Sequence, residues 1–166
     1  MLGSHFCLHG INFLNDLELK VPPLALVLVL AGGMWFVAWQ LPSLAFTLPW
    51  RQGLAAMIFA VGILFMLAGL YEFQKAKTTF NPMTPDAASS VVTSGVYRAS
   101  RNPMYVGFLF LLIGWAIWLS HPLPFILLPA FVLYMNRFQI LPEERALSAK
   151  FGKAYDSYQQ GVRRWL

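Results

Sequence analysis

Charge is scarce in this chain. Asp, Glu, Lys and Arg make up 11% of its 166 residues, less than half the roughly one quarter usual in soluble domains, which excludes an ordinary water-facing globular protein. Cysteine is nearly absent: Cys7 stands alone, excluding an internal disulfide and a metal site built on several thiolates. The opening MLGSHFCLHG lacks a basic stretch followed by a cleavable apolar core, so no secretory signal is expected. His5, Cys7 and His9 alternate there but bring no fourth ligand and no fixed scaffold, and no metal is expected. A dense basic patch is missing too. The net charge is +5 and the pI about 9.6, yet Lys and Arg are scattered among apolar residues and fall at helix ends. That distribution suits anionic lipid headgroups and not nucleic acid.

What remains is apolar. Hydrophobic residues make up 58% of the chain, aromatics 16%, and the mean hydropathy is +0.58. The composition predicts an all-α integral membrane helical bundle forming a single domain over residues 1–166. A bilayer core of about 30 Å needs roughly twenty apolar residues per helix, and four stretches fit: 22–41, 53–71, 103–120 and 122–141. In the second, Gly62 and Gly69 lie seven apart and Ala56 and Ala60 four apart, spacing that lets helices approach closely. The fourth contains Pro124 and Pro129, which predict an irregular start and a bend near Pro129. Residues 1–20 form an N-terminal segment in which Ile11 to Leu19 suit a short interfacial helix.

With the amino terminus in the cytoplasm, eleven of the twelve Lys and Arg residues fall inside or at the inner boundary, and only Arg51 falls outside. The positive-inside rule then puts both termini and the 72–102 loop in the cytoplasm. The third and fourth stretches form a hairpin of equal arms about His121. Its arms bring Arg101, Asn102 and Tyr105 level with Arg137, Glu143 and Glu144 at the inner mouth.

The polar material collects at that mouth. GVYRASRNPMYVG, Gly95 to Gly107, crowds Arg98, Ser100, Arg101 and Asn102 against a helix that starts at Pro103. A plain positive-inside anchor is the simpler alternative for Arg98 and Arg101. Residues 142–166 read as a cytoplasmic amphipathic helix starting at Pro142, with Glu143 and Glu144 favoured by its dipole. Leu147, Phe151, Tyr155 and Tyr158 form one stripe there, read first as a face lying on lipid, and Gly152 permits a bend. The 72–102 loop, with apolar points at Val91, Val92 and Val96, should lie over the helix ends as a lid. Glu72 is read as a helix-end residue within reach of Lys75.

GVYRASRNPMYVG, followed after a helical hairpin by PEERALSAKFGKAYDSYQQGVRRW, resembles the superfamily of isoprenylcysteine carboxyl methyltransferases and phospholipid methyltransferases. The hallmark is an Arg-His-Pro-x-Tyr element, a pair of glutamates and an FG-x-x-Y-x-x-Y pattern, and the resemblance covers residues 78 to 166. It implies a helical membrane enzyme that binds S-adenosylmethionine from the cytoplasmic side. Arg101, Asn102, Pro103, Tyr105, Glu143 and Glu144 would then belong to the cofactor cavity, with Tyr97 beside them and Arg101 and Asn102 nearest the chemistry; Arg137 joins those two as a catalytic candidate on physical grounds, apart from the resemblance. One position departs from the pattern. Asn102 stands where the hallmark has His, and an amide can donate and accept hydrogen bonds but cannot shuttle a proton near neutral pH.

The residue types suit that cofactor on chemical grounds. A carboxylate could accept from its ribose or amine, Arg101 could pair with its carboxylate, and Tyr105 could meet its sulfonium or adenine. Arg137 sits about one turn inside the inner end of the fourth stretch, where a charge either snorkels to headgroups or serves a site. The sequence predicts a membrane methyltransferase acting on a lipidic or prenylated acceptor that reaches it through the bilayer, with carboxylate O-methylation favoured. Phospholipid amine N-methylation, an NADPH-dependent sterol-type reductase and a non-enzymatic interaction protein are the alternatives.

Overall fold

The computed structural model describes residues 18–78 and 83–166; the His5, Cys7, His9 alternation and most of the Ile11–Leu19 segment lie outside them. Among the described residues all regular structure is helical. Helix α1 is Pro23–Gln40, α2 is Arg51–Lys75 and α3 is Pro103–Leu119. The fourth apolar stretch begins as the 3₁₀ turn Leu123–Ile126 and becomes α4, Leu127–Tyr134. It widens into the π-helical turn Met135–Ile140 and continues as α5, Leu141–Phe151. Helix α6, Lys153–Gly161, follows after Gly152 takes φ +52°, a backbone angle that costs a residue without Cβ little.

Among the described residues three helical units are long and apolar enough to cross a membrane: Pro23–Gln40, Arg51–Lys75 and Leu123–Phe151. The apolar helix Pro103–Leu119 is shorter, at 17 residues. The outward faces carry Leu28, Trp39, Leu64 and Leu133, all exposed, an apolar shell that water would penalise and lipid does not. Inside, Met34, Leu112, Phe131, Met135 and Ile140 are fully buried and join Val27, Tyr105 and Phe108 in one core.

Helix α3 packs most closely on α2. A Cβ on Gly62 would come within 2.8 Å of the Gly107 carbonyl, and one on Gly107 within 2.7 Å of the Gly62 carbonyl, so the two backbones touch where both side chains are missing. Helix α1 lies across α3, pinned by the Trp115 indole N–H donating to the Ala31 carbonyl at 3.0 Å. At the far end of α3, Ser120 takes φ +50° and His121 turns the chain. His121 is fully buried, with Nε2 3.0 Å from the Leu41 carbonyl and Nδ1 accepting the Leu123 N–H at 3.3 Å.

The fourth stretch starts irregularly, as a 3₁₀ turn, and Pro129 falls in the first turn of the α-helix that begins at Leu127, where no donor is needed from it. Helix α5 begins at Leu141 with Pro142 in its first turn and Glu143 and Glu144 beside it, but the chain is not broken there: the π turn just before the proline joins α5 to α4. Pro142 has no N–H for the Phe138 carbonyl four residues back. Leu19 supplies the missing donor at 3.0 Å, tying the N-terminal turn to this point.

Candidate functional site

Helix α5 runs on from the π turn and lies beside the start of α3. Chain polarity then brings Glu143 and Glu144 against Arg101 and Tyr105. The Tyr105 hydroxyl donates to Glu143 Oε1 at 2.5 Å, as does Gln139 Nε2 at 2.5 Å. Glu144 is buried and takes Arg101 Nη2 at 2.9 Å on Oε1. On its other oxygen it takes Arg164 Nη2 at 2.6 Å, with Arg164 Nε 3.2 Å from Oε1. One carboxylate thus holds two guanidiniums, in the forked geometry that arginine favours.

The C-terminal tail, for which the sequence carries no periodic signal, completes the floor. The Arg101 N–H donates to the Arg163 carbonyl at 2.9 Å, and the Asn102 side-chain amide donates to the Arg164 carbonyl at 2.9 Å. Ser100 Oγ reaches the same carbonyl at 3.3 Å and also accepts the Asn102 N–H at 3.0 Å. Trp165 Nε1 donates to Asn136 Oδ1 at 3.0 Å, with its ring edge-on to Phe131. Asn102 therefore binds backbone, which needs a donor and not a base.

Between these parts lies an open-mouthed cleft with an enclosed volume of about 110 Å³. Tyr97, Arg101, Asn102, Tyr105, Glu143 and Glu144 line it. Pro103 is buried as the first residue of α3, behind that wall. Arg137 lies elsewhere, pairing with Glu18, which also pairs with Arg145, and covering the Phe138 ring at 5.3 Å; it does not line the cleft.

Several walls were not assigned to the site from sequence. Leu147, Tyr155 and Tyr158 face the cleft, so three of the four residues in the stripe read as lipid-facing form an inner wall, and Phe151 does not line it. The stripe's turn inward comes from the Gly152 break, which sends α6 back over the 3₁₀ turn Gly95–Arg98. There Tyr158 donates to the Tyr97 carbonyl at 2.7 Å. Phe73 and Met104 add apolar surface, and Pro85, Ala88, Val91 and Val92 cover the top, where the loop was expected to lie. Burial and then the Tyr158 hydroxyl push Tyr97 well above the usual phenol range. Burial and then Glu144 push Tyr155 up to about 12. Burial and then Tyr155 raise Tyr158. All three stay neutral donors at physiological pH.

One polar atom is left over. Among the described residues, Arg101 Nε is buried without a hydrogen-bond partner, although Nη2 holds Glu144 and Nη1 donates to the Gln159 carbonyl at 3.2 Å. An unpartnered guanidinium N–H inside a native site calls for an acceptor that the described residues do not provide. Phenols, two carboxylates and apolar walls around that cation fit a zwitterionic nucleoside such as S-adenosylmethionine. Among the described residues no cluster of His, Cys, Asp or Glu could hold a metal ion.

A family model described as phospholipid methyltransferase matches residues 50–154. An uncharacterised protein of Haemophilus influenzae is 44% identical over 63 residues, which are 38% of this chain and 100% of that protein. A probable protein-S-isoprenylcysteine O-methyltransferase of Oryza sativa is 40% identical over 75 residues, 43% of this chain and 38% of that relative. Protein-S-isoprenylcysteine O-methyltransferase A of Arabidopsis thaliana is 29% identical over 116 residues, 68% of this chain and 57% of that relative. The chain thus spans well under two thirds of either methyltransferase. No solved structure matches the chain significantly. The family match takes in more than half of the 166 residues, from α2 through the lid and hairpin to the paired glutamates, and with these membrane-length helices the chain belongs to the phospholipid methyltransferase family of integral membrane proteins.

Proposed function

We propose that this chain is an S-adenosylmethionine-dependent methyltransferase whose donor site is the cleft between the start of α3 and α5. The observation that carries the reading is the cleft in which Arg101, two carboxylates and four phenols share the lining with apolar walls, with Arg101 Nε buried and unpartnered among the described residues. When bound, the cofactor supplies a methyl group on a positively charged sulfur. Arg101 would take its carboxylate. Glu143 would accept from its amine or ribose, and Tyr97 and Tyr155 would donate to its remaining acceptors. Phe73, Met104 and Val92 would exclude water from the reacting groups. Catalysis of this kind comes mainly from orientation in a dry site. No covalent nucleophile is called for.

The acceptor we favour is the carboxylate of a lipidic or prenylated molecule. A carboxylate needs no base to remove a proton, and among the described residues no histidine lines the cleft, Asn102 standing where the hallmark has one. An apolar hollow bounded by Val27, Ala31, Phe59, Leu111, Leu112 and Trp115 opens farther along α3. Leu112 lies seven residues from Tyr105, about 10 Å along one helix face. An acceptor with its head at the cleft and its tail in that hollow would run parallel to α3. The names of the isoprenylcysteine relatives agree with this reading. The family description leaves amine N-methylation of a phospholipid as the second reading. In the topology we propose, α3 is a fourth, centrally packed span, both termini and the cleft face the cytoplasm, and α6 lies at the inner surface.

Methyl-labelled S-adenosylmethionine, supplied to detergent-solubilised protein with one acceptor class at a time, tests this. An S-prenylated cysteine with a free carboxylate should be labelled in base-labile form. Label appearing only on a phospholipid amine would select the second reading, and label only on small water-soluble acceptors would remove the lipidic acceptor altogether.

A further inference from the structure

Glu72 is a buried carboxylate that the proposed chemistry does not use. It lies on the last turn of α2, is 8% exposed, and was expected to reach Lys75. The structure turns it inward, where it accepts the Ser94 hydroxyl. Gly95, at φ +57°, lies directly against it, and a Cβ there would run into the Glu72 carboxyl. The pairing is therefore built into the backbone: a residue with a side chain at 95 would be both strained and obstructed.

Three walls of the cleft meet at this point. Phe73 follows Glu72 and lines the cleft; its ring meets Tyr97 edge-on at 5.4 Å. Tyr97 is carried by the Gly95–Arg98 turn, and its N–H donates to the Ser94 carbonyl at 3.1 Å. The covering segment with Ser90, Val91 and Val92 ends at Ser94, and its other end, the turn Pro85–Ala87, packs against α5. The covering segment is therefore held at one end by α5, in the middle by the Ser89 N–H donating to Thr78 Oγ1 at 2.9 Å, and at the Ser94 end by the Glu72 carboxylate.

We propose that Glu72 is a positioning residue: by holding Ser94 and Gly95 it sets Tyr97 and the covering segment over the cleft and controls how long the nucleoside donor stays bound. The proposal rests on the donor-site reading above, and its test separates the two. Hydrogen exchange over residues 83–98 and the dissociation rate of S-adenosylhomocysteine are measured on the full chain in detergent, for wild type, Ser94→Ala, Glu72→Ala and Glu72→Gln. A lost hydrogen bond to a charged group corresponds to roughly tenfold or more in an opening equilibrium. Ser94→Ala should therefore speed exchange across 83–98 and ligand release by about that factor. Exchange in the core of α3 should not change. Glu72→Gln, which keeps an acceptor for Ser94, should return both rates to within about threefold of wild type. If Glu72→Ala does not fold, Ser94→Ala decides. Unchanged exchange over 83–98 in folded Ser94→Ala overturns the proposal, as does unchanged ligand release. Wild type that binds no S-adenosylhomocysteine overturns the donor-site reading, and with it the claim about residence time.

Discussion

The two ends of α3 hold similar polar material and use it in opposite ways. At the Ser120 end, His121 is buried with one ring nitrogen at the Leu41 carbonyl and the other accepting the Leu123 N–H. Ser120 Oγ donates to the Ile117 carbonyl at 3.1 Å and accepts from Arg51 at 3.4 Å. Bonding there is closed, and a turn results. At the Pro103 end, Arg101, Glu143 and Glu144 are also paired, but around a cleft, and Arg101 Nε is left with nothing. A buried polar cluster that satisfies itself is architecture; one with a donor to spare, beside empty volume, is built for a ligand.

Substitutions can break that contrast. Glu144→Ala should have the largest effect, since it leaves the Arg101 and Arg164 guanidiniums facing each other without their shared carboxylate. Losing one member of such a buried cluster costs about 3–5 kcal/mol. We expect a marked fall in thermal midpoint in detergent and no measurable donor binding by calorimetry. Next comes Gly107→Val, which forces a side chain against the Gly62 carbonyl and should cost about 2–3 kcal/mol. It is expected to lower the thermal midpoint without selecting either end of α3.

His121→Ala sharpens the comparison. It should cost about 1–2 kcal/mol, because the Leu41 carbonyl and the Leu123 N–H lose their partner. Donor affinity should stay within about twofold of wild type, since that end carries no ligand. The smallest effect concerns pH. Tyr155, held at about 12 by burial, lies above the ordinary phenol value of about 10. Its contribution to stability is fully present below pH about 10 and is lost as pH rises through about 12. The thermal midpoint should be flat from neutral pH to about 9, fall above 10, and fall less steeply in Tyr155→Phe.

The helices and the cleft were legible to different degrees, for physical reasons. Apolar runs of bilayer length mark α1, α2 and the helical unit Leu123–Phe151 because lipid imposes both composition and length. The meeting of Arg101 and Tyr105 with Glu143 and Glu144 followed from equal hairpin arms, which is arithmetic on helix rise. The role of Tyr155 and Tyr158 did not follow, since an amphipathic stripe looks the same whether it faces lipid or a cleft; only the direction that α6 takes after Gly152 separates the two. Pro142 marked the start of α5 to within a residue, but not its continuity with α4: a π turn and a donor from Leu19 join the two. Glu72 and Arg164 find partners 22 and 20 residues away, and no local spacing announces such contacts.

The most direct measurement is a calorimetric titration of S-adenosylmethionine into detergent-solubilised wild type, Arg101→Ala and His121→Ala, each first shown to be folded. The account predicts saturable binding to wild type, the same affinity within about twofold for His121→Ala, and a loss of tenfold or more for Arg101→Ala, as expected when a charge-assisted contact is removed. Folded wild type that binds nothing, or equal weakening in both variants, would contradict it.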